Sequence, residues 1–168
     1  MKPIVSIIMG STSDLPVMEK ACQFLDQMEV PFEVNALSAH RTPAEVGEYA
    51  RSAQSRGLKV IIAGAGMAAA LPGVVAAETT LPVIGVPIKG AALEGLDATF
   101  AIMQMPPGIP VATVAINGAL NAAILAVQML ALADPALMQR LSDYKASLKQ
   151  KIVKANDDLA QLDYKYKV

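Results

Sequence analysis

The chain has 168 residues, of which 54% are hydrophobic and 17% charged, with a net charge of −1 and a mean hydropathy of +0.41. Such a composition excludes a disordered chain, and the lack of a basic excess argues against a nucleic-acid partner. A single cysteine excludes an intramolecular disulfide framework, and the apolar runs end at Gly or Pro before the ~18 residues of a membrane span. We therefore expect one core-rich domain over residues 1–168, with no membrane partner.

Short apolar runs alternate with segments of helical periodicity along the whole chain. In chain order they predict a strand over 4–9, a helix over 14–28, a strand over 32–37, a helix over 43–55, a strand over 59–63, a small-residue segment over 64–79, a strand over 83–86, a helix over 93–103, a strand over 111–115, and helices over 119–133 and 135–162. The N-terminus enters the first strand directly, without the features of a signal peptide, so we expect a cytoplasmic protein.

The alternation of continuous apolar strands with helices is typical of a parallel sheet that is covered by helices on both faces. We predict an α/β flavodoxin-like three-layer sandwich with strand order 2-1-3-4-5 and a long C-terminal helix. In such sheets, ligands bind beyond the carboxyl ends of the strands, near the switch point between strands 1 and 3. Polar or glycine-rich clusters follow the first three predicted strands, at residues 10–14, 38–41 and 64–66. We expect a binding site where these clusters meet.

Two helices near the C-terminus have patterns that point to contacts between subunits. The helix over 119–133 has almost no polar face, so we expect it to be buried on all sides, in part against another chain. The last helix, over about 135–168 with its tail, turns polar after Leu141. Two interpretations of that polar end are open: it packs on a neighbouring subunit, or it is a solvated end.

The only histidine of the chain, His40, lies between the second strand and the second helix. Histidine is the side chain that exchanges a proton near neutral pH, so His40 is the first candidate for acid-base chemistry. Its neighbours Ser38 and Arg41 can bind an anion, and Thr42 followed by Pro43 predicts a helix start with Thr42 as the N-cap. The alternative interpretation is a surface or helix-capping histidine.

The loop after the first strand has the composition of a phosphate-binding turn. Gly10 permits a tight turn, and the amides and hydroxyls of Ser11 and Ser13 can donate to phosphate oxygens at a helix N-terminus. Asp14 either caps the helix or accepts hydrogen bonds from ribose hydroxyls. The loop matches neither the P-loop nor the dinucleotide-binding pattern, so it indicates a monophosphate.

The segment after the third strand offers backbone amides and little side chain. Residues 64–73 suit a flat ligand lying against the chain, or, alternatively, close packing of a helix on the sheet. The stiff loop over 106–110 is a further candidate wall of a pocket. No cluster has the spacing of metal ligands, and no nucleophile elbow is present, so a zinc site and a hydrolase triad are both disfavoured.

Taken together, five ordered motifs closely resemble the PurE family, and they cover nearly the whole chain. They are Met-Gly-Ser-x-Ser-Asp at 9–14, Ser-Ala-His-Arg-Thr-Pro at 38–43, Ala-Gly-Ala-Gly at 63–66, Leu-Pro-Gly at 71–73, and Gln-Met-Pro-x-Gly-Ile-Pro at 104–110. The resemblance implies an N5-carboxyaminoimidazole ribonucleotide mutase of purine biosynthesis, working without metal, biotin or ATP. It also implies a homo-octamer in which the C-terminal helices pack on neighbouring subunits.

The resemblance assigns roles to the candidate residues. His40 corresponds to the general acid/base, Ser11 and Arg41 to phosphate-binding residues with Ser13 and Ser38 nearby, and Asp14 to the residue that holds the ribose. The remaining expected substrate contacts come from the segment after the third strand, namely Gly64, Ala65, Gly66, Met67, Ala70 and Leu71. A dry pocket there would retain the carbon dioxide formed as the carboxylate moves from the exocyclic nitrogen to C4.

The chain departs from the family pattern at two positions. Ala70 stands where a second histidine is usual, and Met67 stands where a glycine is usual. Arg41 after the histidine argues against the animal-like carboxylase class, which carries a lysine there. Ala70 leaves open a family member that only carboxylates or decarboxylates aminoimidazole ribonucleotide. An alternative of another class is a nucleotide-binding module without chemistry.

Overall fold

One parallel sheet of five strands, in the order β2-β1-β3-β4-β5, forms the centre of the computed structural model, which describes residues 1–168. The strands are β1 (Val5–Met9), β2 (Phe32–Ala36), β3 (Val60–Gly66), β4 (Val83–Ile88) and β5 (Ala112–Thr113). The helices are α1 (Leu15–Gln27), α2 (Pro43–Arg56), α3 (Leu71–Glu78), α4 (Leu96–Met103), α5 (Ala119–Ala131) and α6 (Pro135–Ala160). The predicted flavodoxin-like order and the long C-terminal helix are confirmed.

Helices cover both faces of the sheet and divide the core into two clusters. Side chains of α1, α5 and α6 pack on one face, and side chains of α2, α3 and α4 pack on the other. Along β1, Ile7 joins the first cluster and Ile8 the second, and both are fully buried. Burial on both faces is why the inner strands are continuous apolar runs rather than alternating ones.

Three element boundaries differ from the prediction for identifiable reasons. The strand β3 continues through Gly66, because Gly64 and Gly66 keep pairing with β4. The edge strand β5 has only two residues, because only Ala112 and Thr113 pair with β4. The helix α4 begins at Leu96 rather than at residue 93, because Glu94 and Gly95 have left-handed backbone angles, with φ of 55° and 92°.

The two helix starts at the carboxyl edge use their polar residues differently from the prediction. Asp14 precedes α1 and Thr42 precedes α2, yet neither side chain makes a capping hydrogen bond. Instead the Ser11 hydroxyl accepts a hydrogen bond from the Ser13 amide at 3.3 Å and caps a 3-10 turn over Thr12–Asp14. Thr42 exchanges two hydrogen bonds with the backbone of Ser38, at 3.0 and 3.1 Å. The Asp14 carboxylate is thereby left available to a ligand.

In the single chain the helix over 119–133 is buried on one side, so its expected burial on all sides requires another chain. The alanine face of α5 packs against α1 and the sheet, whereas Leu120 and Leu132 are exposed, Leu132 by 84%. Beyond Leu141 the residues of α6 are exposed except for Tyr144, which packs its ring against Phe24. No helix combines the length and the apolar character that crossing a membrane requires.

A polar cluster fixes the edge strand β2, which leads into the segment that carries His40. The Tyr49 hydroxyl donates to Glu33 and lies 2.5 Å from the hydroxyl of the fully buried Ser6 on β1. Arg56 donates to both carboxylate oxygens of Glu33, at 2.7 and 2.9 Å. Burial and the nearby Glu33 carboxylate raise the pKa of Tyr49. The cluster holds β1, β2 and α2 together.

Candidate active site

A cavity of about 730 Å³ opens at the carboxyl edge of the sheet. The segments that follow β1, β2, β3 and β4 all contribute to its walls. This is the crevice in which doubly wound sheets bind ligands. The predicted site residues that line it are Ser11, Ser13, Asp14, Ser38, His40, Arg41, Ala65, Gly66, Met67, Ala70 and Leu71.

Gly64 is the one predicted site residue that does not line the cavity. It lies within β3, paired with Met9 of β1 and Val86 of β4. A Cβ atom at this position would lie 2.5 Å from Sδ of the buried Met18 on α1. Gly64 therefore provides the space in which α1 approaches the sheet, which is the packing alternative considered for this segment.

Arg41 joins the segment after β2 to the loop after β1. Its Nη2 donates to the Gly10 carbonyl at 2.9 Å, and its Nε and backbone amide donate to the Ser38 hydroxyl at 3.3 and 3.2 Å. These bonds fix the plane of the guanidinium and leave the Nη1 donors free for a ligand. A fixed, planar cation beside the hydroxyls of Ser11 and Ser13 suits a phosphate group.

The Asp14 carboxyl lies at the same end of the cavity. Burial raises the pKa of Asp14 above its usual value, although hydrogen bonds from Ser13 and from the Ser11 backbone and the charge of Arg41 act in the opposite direction. The bond from the Ser13 hydroxyl is long, at 3.4 Å. A carboxyl that is partly desolvated and weakly bonded readily accepts hydrogen bonds from ligand hydroxyls.

His40 is exposed and lines the cavity together with Ser11, Ser13 and the wall after β3. It directly precedes Arg41, whose three hydrogen bonds hold the backbone on the C-terminal side of the imidazole. The imidazole can give and take a proton there. No group of three or more His, Cys, Asp or Glu residues lies together as a metal site would require.

The wall after β3 is a tight turn with an unusual backbone. Met67 and Ala69 both have left-handed angles, with φ of 55° and 40°, and the Ala69 amide donates to the Gly66 carbonyl at 3.0 Å. Left-handed angles cost a residue with a Cβ about 1–2 kcal/mol. This explains why a glycine is expected at position 67, and strained backbone of this kind concentrates at functional sites.

Sequence reasoning missed three residues of the cavity, Ile88, Lys89 and Gly90, which lie outside every predicted site segment. The lining residues Gly10, Ala39, Ala68 and Ala69 fall within the predicted segments but were not named as site residues. Among the three missed residues Lys89 is the one with a charge, and the prediction missed it because β4 was expected to end at residue 86, whereas it ends at Ile88. A cation directly after a parallel strand was the available signal. The stiff loop over 106–110 does not reach this cavity, and its residues 108–110 line a separate depression.

The fold and the site define a doubly wound α/β protein with a polar crevice suited to an anionic small molecule. The model of the AIR carboxylase family matches residues 4–151. The chain belongs to this family, and its resemblance to PurE proteins is confirmed.

Several curated relatives are more than half identical to the chain. The N5-carboxyaminoimidazole ribonucleotide mutase of Pyrococcus abyssi is 57% identical over 88% of this chain and 85% of its own length. That of Bacillus subtilis is 52% identical over 95% of this chain and 99% of its own length. The phosphoribosylaminoimidazole carboxylase of Candida glabrata is 53% identical over 97% of this chain, and the chain spans only 29% of that protein.

Solved structures show the same fold. The crystal structure of Treponema denticola PurE superposes with a TM-score of 0.84 at 30% identity, covering 94% of this chain and 98% of that one. The structure of Treponema denticola PurE2-S38D gives a TM-score of 0.85 at 29% identity, covering 95% of this chain and 99% of that one.

Proposed function

We propose that this chain is an N5-carboxyaminoimidazole ribonucleotide mutase of de novo purine biosynthesis. The observation that carries the proposal is the position of its only histidine, which lines one cavity together with Arg41, Ser11 and Ser13. The mutases of Pyrococcus abyssi and Bacillus subtilis, which the chain matches over most of their length, support the choice of substrate.

The phosphate, ribose and imidazole of the proposed substrate each have matching groups in the cavity. The phosphate accepts hydrogen bonds from Arg41 and from the hydroxyls of Ser11 and Ser13, with Ser38 holding the guanidinium in place. Asp14 accepts hydrogen bonds from the ribose hydroxyls. The aminoimidazole ring then extends toward the apolar turn formed by residues 65–71, between this turn and His40.

The chemistry needs one group that gives a proton and takes one back. Protonated His40 donates to the exocyclic nitrogen as its bond to the carboxylate carbon breaks, which releases carbon dioxide and aminoimidazole ribonucleotide. The electron-rich C4 then attacks carbon dioxide and forms the new carbon–carbon bond. Neutral His40 removes the proton from C4, giving 4-carboxy-5-aminoimidazole ribonucleotide and restoring the starting protonation state. The turn over 66–70 would hold carbon dioxide near C4 and keep bulk water away.

A second candidate function is the carboxylation of aminoimidazole ribonucleotide at C4, or the reverse decarboxylation of the C4-carboxylated product, without the mutase route. The observation that favours it is Ala70, which lines the cavity where the family pattern has a second histidine. The name of the matched Candida glabrata protein, phosphoribosylaminoimidazole carboxylase, also supports this second function.

A product assay separates the two functions. We expect the protein, given N5-carboxyaminoimidazole ribonucleotide without bicarbonate, ATP or added metal, to form the C4-carboxylated ribonucleotide, which chromatography with mass detection identifies. Addition of a chelator should leave the rate unchanged. Formation of aminoimidazole ribonucleotide alone would refute the mutase proposal, and C4-carboxylation of aminoimidazole ribonucleotide supplied with bicarbonate would then support the second function. Conversion of neither ribonucleotide would leave a binding module.

We also propose a homo-octamer that works in the cytoplasm. The exposed apolar side chains along α5 and α6, such as Leu120, Leu132 and Met138, support burial against further copies of the chain. Light scattering coupled to gel filtration should give a mass eight times the 17.6 kDa of one chain. A mass of one chain at micromolar concentration would contradict the proposal.

A further inference from the structure

We propose that Lys89 is a second anion-binding residue of the cavity and holds the carboxylate of the substrate; this inference rests on the proposed function. Arg41 and Lys89 are the two cationic side chains in the cavity walls. The proposed substrate likewise carries two anionic groups, a phosphate at one end and a carboxylate at the imidazole end. Each anionic group of the ligand therefore has one cationic side chain available to bind it.

The sheet order places the two cations at opposite ends of the cavity. Arg41 follows β2 and Lys89 follows β4, and the strands β1 and β3 lie between them. Three interstrand spacings of ~4.8 Å separate the two backbones by roughly 14 Å. Both side chains are long enough to reach inward from these positions. A ligand whose phosphate is held by Arg41 therefore extends its other end toward Lys89.

The backbone of Lys89 is held in place on several sides. Its amide donates to the Asn117 side chain at 2.9 Å, and the Asn117 amide donates to the Pro87 carbonyl at 2.8 Å. A Cβ atom on Gly95 would lie 3.2 Å from the Lys89 Cα, so this glycine packs closely against Lys89. The left-handed φ of 57° at Asn117 maintains the turn that brings it there. The fixed backbone leaves the ammonium as the movable part.

The partner of the ammonium can be exchanged for a ligand. Lys89 forms an ion pair with Glu94, and the two side chains are 54% and 66% exposed. An exposed pair of this kind contributes little to stability, so a ligand carboxylate can replace Glu94. Glu94 therefore keeps the ammonium extended at the cavity rim until the substrate arrives.

Lys89 also shares the cavity wall with Met67 and Ala70, the two positions at which the chain departs from the family pattern. The turn after β3, which carries Met67 and Ala70, faces the start of the 89–95 loop, since a Cβ on Gly90 would lie 3.9 Å from Cγ of Met67. Lys89 thus supplies a cation on the side of the cavity where Ala70 offers none. Its role is to bind and position the carboxylate, while the proton transfers stay with His40.

The test measures binding of two ligands that differ only in the carboxylate. The two ligands are 4-carboxy-5-aminoimidazole ribonucleotide and aminoimidazole ribonucleotide, and calorimetry measures the affinity for each. We expect Lys89→Met to lower the affinity for the carboxylated ligand about tenfold and to change the affinity for the other by less than twofold. Lys89→Arg should restore most of the affinity, because it retains the charge. Glu94→Gln, which removes the competing carboxylate but leaves the lysine, should bind the carboxylated ligand at least as tightly as the parent.

Each other outcome has a defined meaning. The role of Lys89 would be overturned if Lys89→Met lost affinity equally for the two ligands or for neither. It would also be overturned if Glu94→Gln lost as much affinity for the carboxylated ligand as Lys89→Met. The same holds if the parent binds neither ligand. If the parent binds both ligands and Lys89→Met weakens binding of the carboxylated one alone, the carboxylate site is supported. If that parent nevertheless converts no ribonucleotide, the mutase proposal is refuted.

Discussion

His40→Asn is expected to bind the ribonucleotide with nearly unchanged affinity and to lose turnover by about a hundredfold or more. The amide keeps a polar side chain of similar shape in the cavity but cannot exchange a proton near neutral pH. The phosphate contacts from Arg41 and Ser11 remain, so binding should persist. Steady-state rates of C4-carboxylated product formation, together with calorimetric affinities for the same ligand, measure the two quantities separately.

The chain has no other histidine that could replace the lost one, so a difference in turnover between the variant and the parent is due to His40. Since His40 is exposed, the substitution should leave the unfolding temperature within about 2 °C of the parent, because surface changes of this kind alter stability by less than about 0.5 kcal/mol. Equal turnover in the variant and the parent would exclude His40 as the acid/base and favour a binding module.

Arg41→Ala is expected to raise the KM for the ribonucleotide by about tenfold to a hundredfold, because charge-assisted hydrogen bonds to the phosphate are lost. Part of the effect comes from the protein itself, since the guanidinium also ties the Gly10 carbonyl and the Ser38 hydroxyl together. The KM of Arg41→Lys should lie between those of the parent and Arg41→Ala, because lysine retains the charge but not the planar arrangement of donors. Steady-state kinetics at several substrate concentrations give KM and kcat for each variant.

Arg51→Ala is the matched control. Arg51 lies on α2, the helix that follows Arg41, but it forms an exposed ion pair with Glu78 and does not line the cavity. Its removal should leave KM unchanged. A KM for Arg41→Ala that equals that of the control would show that the phosphate binds elsewhere.

The fold could be predicted from the sequence because its strands have local patterns that tertiary contacts do not override. The runs that became β1 and β4 are apolar apart from Ser6, and such runs, alternating with helices, leave few topologies open. Where glycine interrupts an apolar run, the strand preference of the local sequence and the observed strand pairing give different ends for the strand. Gly64 has little strand preference, and its inclusion in β3 depends on partners from β1 and β4 that no local pattern reveals.

The candidate site could be predicted in part, because the carboxyl ends of parallel strands meet at one edge whatever the loops contain. His40, Arg41 and Asp14 were identified by residue type next to a strand end. Lys89 was not, because its place depends on how far β4 extends, and the packing of Gly95 and Asn117 that fixes it involves residues distant along the chain. The exposed face of α5 also has no local signal that separates burial within a chain from burial between chains.

The exposed His40 gives this protein a spectroscopic property of practical use. Because it is the only histidine in 168 residues, the two carbon-bound protons of its imidazole are the only histidine signals that a proton magnetic resonance spectrum can contain. Those signals report on the ionisation of the proposed acid/base directly, without isotope labelling or residue assignment. The same pair of resonances, followed as ligand is added, would show whether the ring changes its environment when the cavity fills.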